Sequence, residues 1–308
     1  MTKLDAESGP EPDAEPDPEP DPESGPEPDP DSGPEPDPEF GPEPDAEFGP
    51  EQAHPARMYD YLLGGQDHFE ADRAAIAGLL KAVPSARTGA RENRAFLGRA
   101  VRYLVAEAGV RQFLDIGSGF PTVNNVHEVA QSIDPDSRVV YVDHDPLVLA
   151  RARELLARHA AGRTAYLQAD LRDPGAILAH PALSATLDLS QPVALMLVAV
   201  LHFFPDQADP AGIVSRLLAA LAPGSYLVAS HTTADFSPAA AAAGGVQAVH
   251  QAGLPFQVRT AAQLTDLALR GLDLVEPGLV PVSEWRPDAG SRPGPADVGY
   301  YGAVARKP

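Results

Sequence analysis

Apolar positions in this chain follow two rhythms, and the switches between them outline its elements. Five short runs, over 112–117, 138–143, 165–168, 193–198 and 226–230, are apolar at nearly every position. That pattern predicts strands buried on both faces, as in a parallel sheet. Between them apolar residues recur every three or four positions, which predicts helices over 124–133, 146–159, 174–180 and 208–221. In the last of these, Ile213, Val214, Leu217, Leu218 and Leu221 share one face. Asp145-Pro146 supplies an N-cap and a first-turn proline for the second helix. Further helices are expected over 238–252 and 260–270. The rhythm then changes: Leu272–Val282 and Gly299–Ala305 are β-rich with no helix between them, and are expected to pair antiparallel at one edge of the sheet.

Ahead of the first strand, Arg57–Leu63 reads as a short helix stopped by Gly64-Gly65. Asp67 and Glu70 suit a capping box for a second helix with Phe69, Ile76 and Leu80 on its inner face. A third is expected over 91–108, with Leu97, Val101, Leu104 and Ala108 in one stripe. The expected organisation is a helical cap over 53–110 on an α/β core over 111–308.

Residues 1–52 share neither rhythm. The first 51 carry 19 acidic residues against one Lys, and Gly-Pro-Glu-Pro-Asp recurs at 9, 25, 33 and 41. Proline at almost every second position and self-repelling charge predict a disordered, extended tail. Its net charge of −18 accounts for most of the chain's −21, so the remainder is nearly neutral. No basic surface is evident, which argues against nucleic acid as a partner. With no cysteine, thiolate metal sites and cysteine nucleophiles are excluded, and no metal site is expected. The N-terminus lacks an apolar signal region, and the longest apolar run, Val193–Leu201, falls short of the ~20 residues a membrane span needs. A soluble cytoplasmic protein is expected; its oligomeric state is left open.

The candidate chemistry sits where strands end. Asp115-Ile116-Gly117-Ser118-Gly119 closes the first strand with two glycines, so a ligand can lie against bare backbone. A dinucleotide fingerprint needs a third glycine where Thr122 stands, which argues against a pyrophosphate and for a ligand without one. Asp143 ends the second strand, where a carboxylate can grip both hydroxyls of a ribose. Asp170 follows the third, placed to accept an adenine amine with Leu171 on the ring. Three acids at successive strand ends converge at one sheet edge, the usual ligand edge of open α/β folds. After the fourth strand, His202 with Phe203 and Phe204 can line a substrate mouth, His202 being a candidate for catalysis.

Taken together, RMYDYLLGGQDHFEADR (57–73), NRAFL (93–97), QFLDIGSGFPT (112–122), NVHEVAQ (125–131) and VVYVDHDP (139–146) resemble a bacterial family of S-adenosylmethionine (SAM)-dependent methyltransferases first catalogued as a domain of unknown function. The likeness covers residues 53–307. It implies a class I, Rossmann-like fold with a helical N-terminal cap and SAM as cofactor, and leaves the substrate open. Tyr59, Asp60, Gly64 and Gly65 would then close over the methionine end, with Asp60 a candidate for its ammonium; packing is the alternative role for the tyrosines. Gln66 stands where the family usually has Lys, removing a cation beside Asp67, and His144, next to Asp143 in the cofactor site, stands where Asn is common. The expected activity is methyl transfer to a small-molecule acceptor. The alternatives are a SAM-binding sensor or scaffold without transfer, and, less well supported, an NAD-dependent oxidoreductase.

Overall fold

The computed structural model describes residues 49–156 and 163–308, all within one compact unit. The acidic repeat up to residue 48 and the final positions of the helix expected to 159 lie outside the described residues. Three helices come first: α1 (Pro55–Leu63), α2 (Glu70–Ala82) and α3 (Ala86–Ala106). Gly64 stops α1 in the left-handed conformation, φ 89°, that glycine adopts without penalty.

The capping of α2 differs from expectation. Asp72, not Asp67 or Glu70, accepts the Phe69 N–H at 2.8 Å, while its other oxygen accepts the His54 N–H at 2.8 Å. Asp72 is wholly buried with the equally buried Arg57 3.2 Å away. Glu70 sits one turn too early and pairs with Arg73 at 2.6 Å instead. Asp67 meets Arg151 at 2.8 Å, so the cation missing at Gln66 is supplied from another element. Phe69 is partly exposed, and Ile76 alone of the three expected inner residues is fully buried. Helix α3 starts five residues before the expected Arg91. Gly89 weakens the sequence signal there, but the fold needs it: a Cβ would stand 2.4 Å from the Val298 carbonyl oxygen.

The alternation then runs β1 (Gln112–Ile116), α4 (Val126–Ile133), β2 (Arg138–Asp143), α5 (Pro146–Leu156), β3 (Thr164–Gln168), α6 (Pro174–Ala179), α7 (Pro181–Thr186), β4 (Ala194–Val198), α8 (Pro210–Ala219), β5 (Tyr226–Thr232) and α9 (Ala239–Gln251). Helix α10 (Ala261–Leu264) continues as a wider π turn over Thr265–Leu269. Short strands β6 (Asp273–Leu274) and β7 (Val280–Pro281), a single turn α11 (Pro295–Val298) and β8 (Tyr300–Arg306) complete the chain.

The sheet order is β3-β2-β1-β4-β5-β8-β6, with β1 to β5 parallel and β8 antiparallel to β5, β6 and β7. The two C-terminal runs pair antiparallel at one edge of the parallel sheet as expected, with β8 next to β5 and β6 outermost. Pro277 and Gly278 interrupt the first run, which therefore yields two strands of two residues. Successive residues of each strand go to opposite faces. Leu114, Val140, Leu195 and Leu227 pack under α6, α7, α8 and α10. Phe113, Val139, Met196 and Val228 pack against α3, α4 and Trp285. Both faces being covered is why these strands read as continuous apolar runs. Among the described residues no helix is long and apolar enough to cross a membrane.

Candidate functional site

The C-terminal ends of β1 to β5 point to the same edge, and a cleft of about 1240 Å³ opens over them. Tyr59, Asp115, Gly117, Ser118, Gly119, Asp143, His144, Asp170, Leu171 and His202 all line it. The first strand ends in a tight turn: the N–H groups of Gly117 and Ser118 donate to the Val142 carbonyl at 2.8 and 3.2 Å. Gly117 has φ 73°, and a Cβ on it would stand 2.6 Å from Cγ2 of Val200. No other residue fits there without moving the loop after β4. Asp115, one position earlier than Ile116, faces the α3 side and has no hydrogen-bond partner for its carboxyl among the described residues. Burial, reinforced by Asp143 and opposed by Arg94, pushes its pKa up to about 7.

At the tip of β2 the polar groups serve one another. Asp143 accepts the Gly119 N–H at 2.8 Å through Oδ2 and the Asp145 N–H at 3.1 Å through Oδ1. Burial alone would raise its pKa, but these bonds and His144, 3.5 Å away, hold it below the usual carboxylate range. Asp145 caps α5 by accepting the Leu147 N–H at 2.8 Å, and its other oxygen lies 3.2 Å from Nδ1 of His54. His54 Nε2 is in turn 3.4 Å from Nε2 of His144. Two histidines thus bridge two buried carboxylates, joining the N-terminal cap to β2. Burial and His144 push the His54 pKa down to about 3. Burial also disfavours charge on His144, but Asp143 outweighs it and raises that pKa, so His144 is the member of the pair that takes the proton. Past β3, Asp170 accepts from the Arg172 N–H and Nε, both at 2.7 Å.

The cap residues divide. Tyr59 reaches the cleft, but its hydroxyl donates to the Ala90 carbonyl at 3.0 Å and accepts from Asn93 at 2.9 Å. Asp60, Gly64 and Gly65 do not line the cleft among the described residues. Asp60 accepts the Asp67 N–H at 2.9 Å and presses against Gly65, where a Cβ would fall 1.9 Å from Oδ1. The buried Asp60 carboxylate thus organises the 64–67 loop beside the cleft rather than lining it.

The β4 and β5 ends are built differently. Ala199 directly follows β4 with φ 57°, a left-handed conformation that costs an alanine about 1–2 kcal/mol. Its N–H is held by Ser230 Oγ at 2.9 Å. His202 is buried among Phe203, Phe256, His231 and Tyr300, with ring centroids 4.5, 5.2, 5.5 and 6.1 Å away. Its Nδ1 is buried with no hydrogen-bond partner, as is Oγ1 of Thr232, which pairs with Tyr300 across the β5–β8 ladder. Burial, then His231 and Arg259, drives the His202 pKa far down, so the imidazole is neutral.

Behind His202 stands Arg259, a buried residue the sequence reading passed over. It donates to the carbonyls of Leu201 and Phe204 at 3.3 and 2.9 Å, to Asp206 at 2.6 Å and to His231 Nε2 at 2.9 Å. Because arginine only donates, His231 carries its proton on Nδ1, which donates to the Thr232 carbonyl at 2.7 Å. Arg259 lies in a polar stretch with no periodicity, so nothing local marked it. Asn93 and Arg94 also line the cleft, with Oδ1 and Nε respectively buried and unpartnered. They were visible only as members of a signature block.

The sequence model of the S-adenosyl methyltransferase family matches residues 43–308. The chain belongs to that family. SAM is accordingly its cofactor, and its class I fold is the one the strand order shows. This methyltransferase is 48% identical to a DUF574-family protein of Streptomyces avermitilis, whose crystal structure it matches with a TM-score of 0.80 over 84% of this chain and 98% of that one. It is 42% identical to a candidate methyltransferase of Thermobifida fusca YX, with a TM-score of 0.77 over 83% and 96% of the two chains. No curated protein matches the sequence.

Proposed function

We propose that this methyltransferase transfers a methyl group from SAM to a small-molecule acceptor, with both held in the one cleft. The observation that carries this reading is the cleft's polarity. Strand-tip carboxylates and unpartnered polar atoms gather over β1 to β3, and an uncharged wall continues beyond β4. Its volume exceeds what a single drug-sized ligand needs, ~300–1000 Å³.

The residues fit the cofactor. The bare backbone at Gly117 and Gly119 allows close approach, and the buried, unpartnered Ser118 Oγ, Asn93 Oδ1 and Arg94 Nε are each short of a bond that a polar ligand can make. Asp143 is positioned for the ribose hydroxyls with its remaining lone pairs, and Asp170 with Leu171 for the adenine. Asp115, rather than Asp60, is the carboxyl that faces the cleft and suits the ammonium; Arg94 suits the methionine carboxylate. Bound SAM supplies an electrophilic methyl with a neutral thioether as leaving group. The chain's part is to align the acceptor behind that methyl, a proximity effect that can contribute ~7–11 kcal/mol. The strained turn at Ala199 and the pinned loop to Phe204 are the elements that set this alignment.

The test pairs calorimetry of SAM, S-adenosylhomocysteine and NADH with a labelled-methyl assay against a metabolite extract. SAM binding with label transferred to a small molecule supports the reading. Binding without transfer would favour a SAM sensor, and NADH binding with no SAM binding would overturn it.

A further inference from the structure

Past His202 the cleft continues as an arm between α2 and α9, bounded by Leu79, Val83, Val249 and Leu254, with Phe203 and Phe256 at its neck. The charged residues that line the cleft come from the N-terminal segment, α3 and the ends of β1 to β3. Among the described residues, α2, α9 and the loops over 198–208 and 253–258 contribute none. The neck carries two buried polar atoms without partners, His202 Nδ1 and Thr232 Oγ1. Leaving such atoms unmade is costly, and an uncharged, mainly apolar arm with unmet polar atoms at its neck suits a mainly apolar ligand with a polar group at that point.

Charge narrows the class. A carboxylate in the arm would have no cation to meet, because the nearby Arg259 spends its donors on Leu201, Phe204, Asp206 and His231. An ammonium would have no carboxylate, since Asp115, Asp143 and Asp170 lie at the other end. Either would bury an unpaired charge. A neutral imidazole, which His202 is, can accept a hydrogen bond from a hydroxyl. The ring cluster of His202, Phe203, Phe256 and Tyr300 favours a flat aromatic body at the neck.

We propose that the arm takes a neutral aromatic compound bearing a hydroxyl, with the hydroxyl hydrogen-bonded to His202 and Thr232 and the apolar body between α2 and α9. This rests on the methyl-transfer reading above, in which that hydroxyl is the acceptor: its oxygen bonds the methyl carbon as the methyl–sulfur bond breaks, S-adenosylhomocysteine leaves as a neutral thioether, and the hydroxyl proton passes to the His202 imidazole that accepts its hydrogen bond.

Fluorescence titration of the full-length protein with naphthol, naphthoate and naphthylmethylammonium, with and without saturating S-adenosylhomocysteine, tests it. Naphthol should bind at least about tenfold tighter than either charged analogue. His202→Phe should weaken naphthol about three- to tenfold while leaving naphthalene unchanged, and His202→Gln, which keeps an acceptor, should restore most of the loss. Leu79→Trp, which fills the arm, should abolish naphthol binding with S-adenosylhomocysteine affinity intact; this variant serves even if the histidine ones fold poorly. Equal or tighter binding of a charged analogue, or naphthol affinity indifferent to Leu79→Trp, overturns the proposal. Loss of S-adenosylhomocysteine binding by the wild type would instead fail the cofactor reading beneath it, whichever probe binds.

Discussion

The two ends of the cleft solve the problem of buried polarity in opposite ways. Around β2 and β3, Asp143, His144, Asp145 and Asp170 are bonded to backbone N–H groups or to one another. Around β4 and β5, His202 and Thr232 line the cleft and each keeps a buried polar atom unmet. The first end is organised before any ligand arrives, because each carboxylate is fixed by bonds that lie behind its free lone pairs. The second is left open in front and has to be held from behind, which is what Arg259 does for the 201–206 loop. A preorganised end suits an invariant ligand, and an open end suits a ligand that supplies its own hydrogen bond.

The largest effect should come from the support behind the open end. Arg259→Ala strips two carbonyls, His231 and Asp206 of a shared donor, and should cost about 2–5 kcal/mol of stability in urea denaturation. A loss no larger than that of an exposed arginine would mean the loop needs no such support. Next is the preorganised end: Asp143→Ala should weaken SAM by about 100-fold in calorimetry, two charge-assisted bonds being lost. Unchanged affinity would remove Asp143 from the cofactor site.

Asp115 lies at the seam between the two ends, and its effect depends on pH. The folded state holds its proton up to about pH 7, while an unfolded aspartate releases it near pH ~4. Between those values the folded state binds more protons, so this group's contribution to stability falls as pH rises through the window and is flat above it. Asp115→Asn should therefore stabilise the ligand-free protein, on the order of 1–3 kcal/mol at pH ~8 and little at pH ~4, by thermal unfolding at both. An equal effect at both pH values would show that the carboxyl is not buried unpaired. The smallest expected effect is Ala199→Gly, which relieves the left-handed strain at the β4 tip and should gain at most about 1 kcal/mol, with methyl transfer slowed if the strain aligns the loop.

Much of this arrangement is legible in the sequence. Apolar runs ending in Asp115, Asp143 and near Asp170 place three carboxyls at neighbouring strand tips, because strand length and parallel register are written in the hydrophobic pattern. What a carboxyl does there is less legible. Asp60 stands in the most distinctive block of the chain, yet its carboxylate accepts the Asp67 N–H and does not line the cleft; a sequence motif gives residue type and spacing but not the direction of a side chain. Asp72 and Glu70 show the same limit, since the choice between them turns on Arg57 from another helix. Arg259 was invisible because all its side-chain partners but Gln257 lie 28 to 58 residues away. Which of the two C-terminal runs lies inside was left open for a similar reason: pairing order is a property of the sheet, not of either run.

The contact between α2 and α9 sets how the arm can respond to different occupants. A Cβ on Gly245 would stand 2.9 Å from Cγ2 of Val83, and one on Gly244 3.2 Å from the Ala82 Cβ. Where glycine and alanine meet there is almost no rotamer to re-sort, so the spacing of α2 and α9 is fixed by backbone while the side chains of Leu79, Val83, Val249 and Leu254 can still adjust. The two helices act as fixed jaws: a change of occupant re-sorts the side chains between them and leaves the distance between the helices as it is.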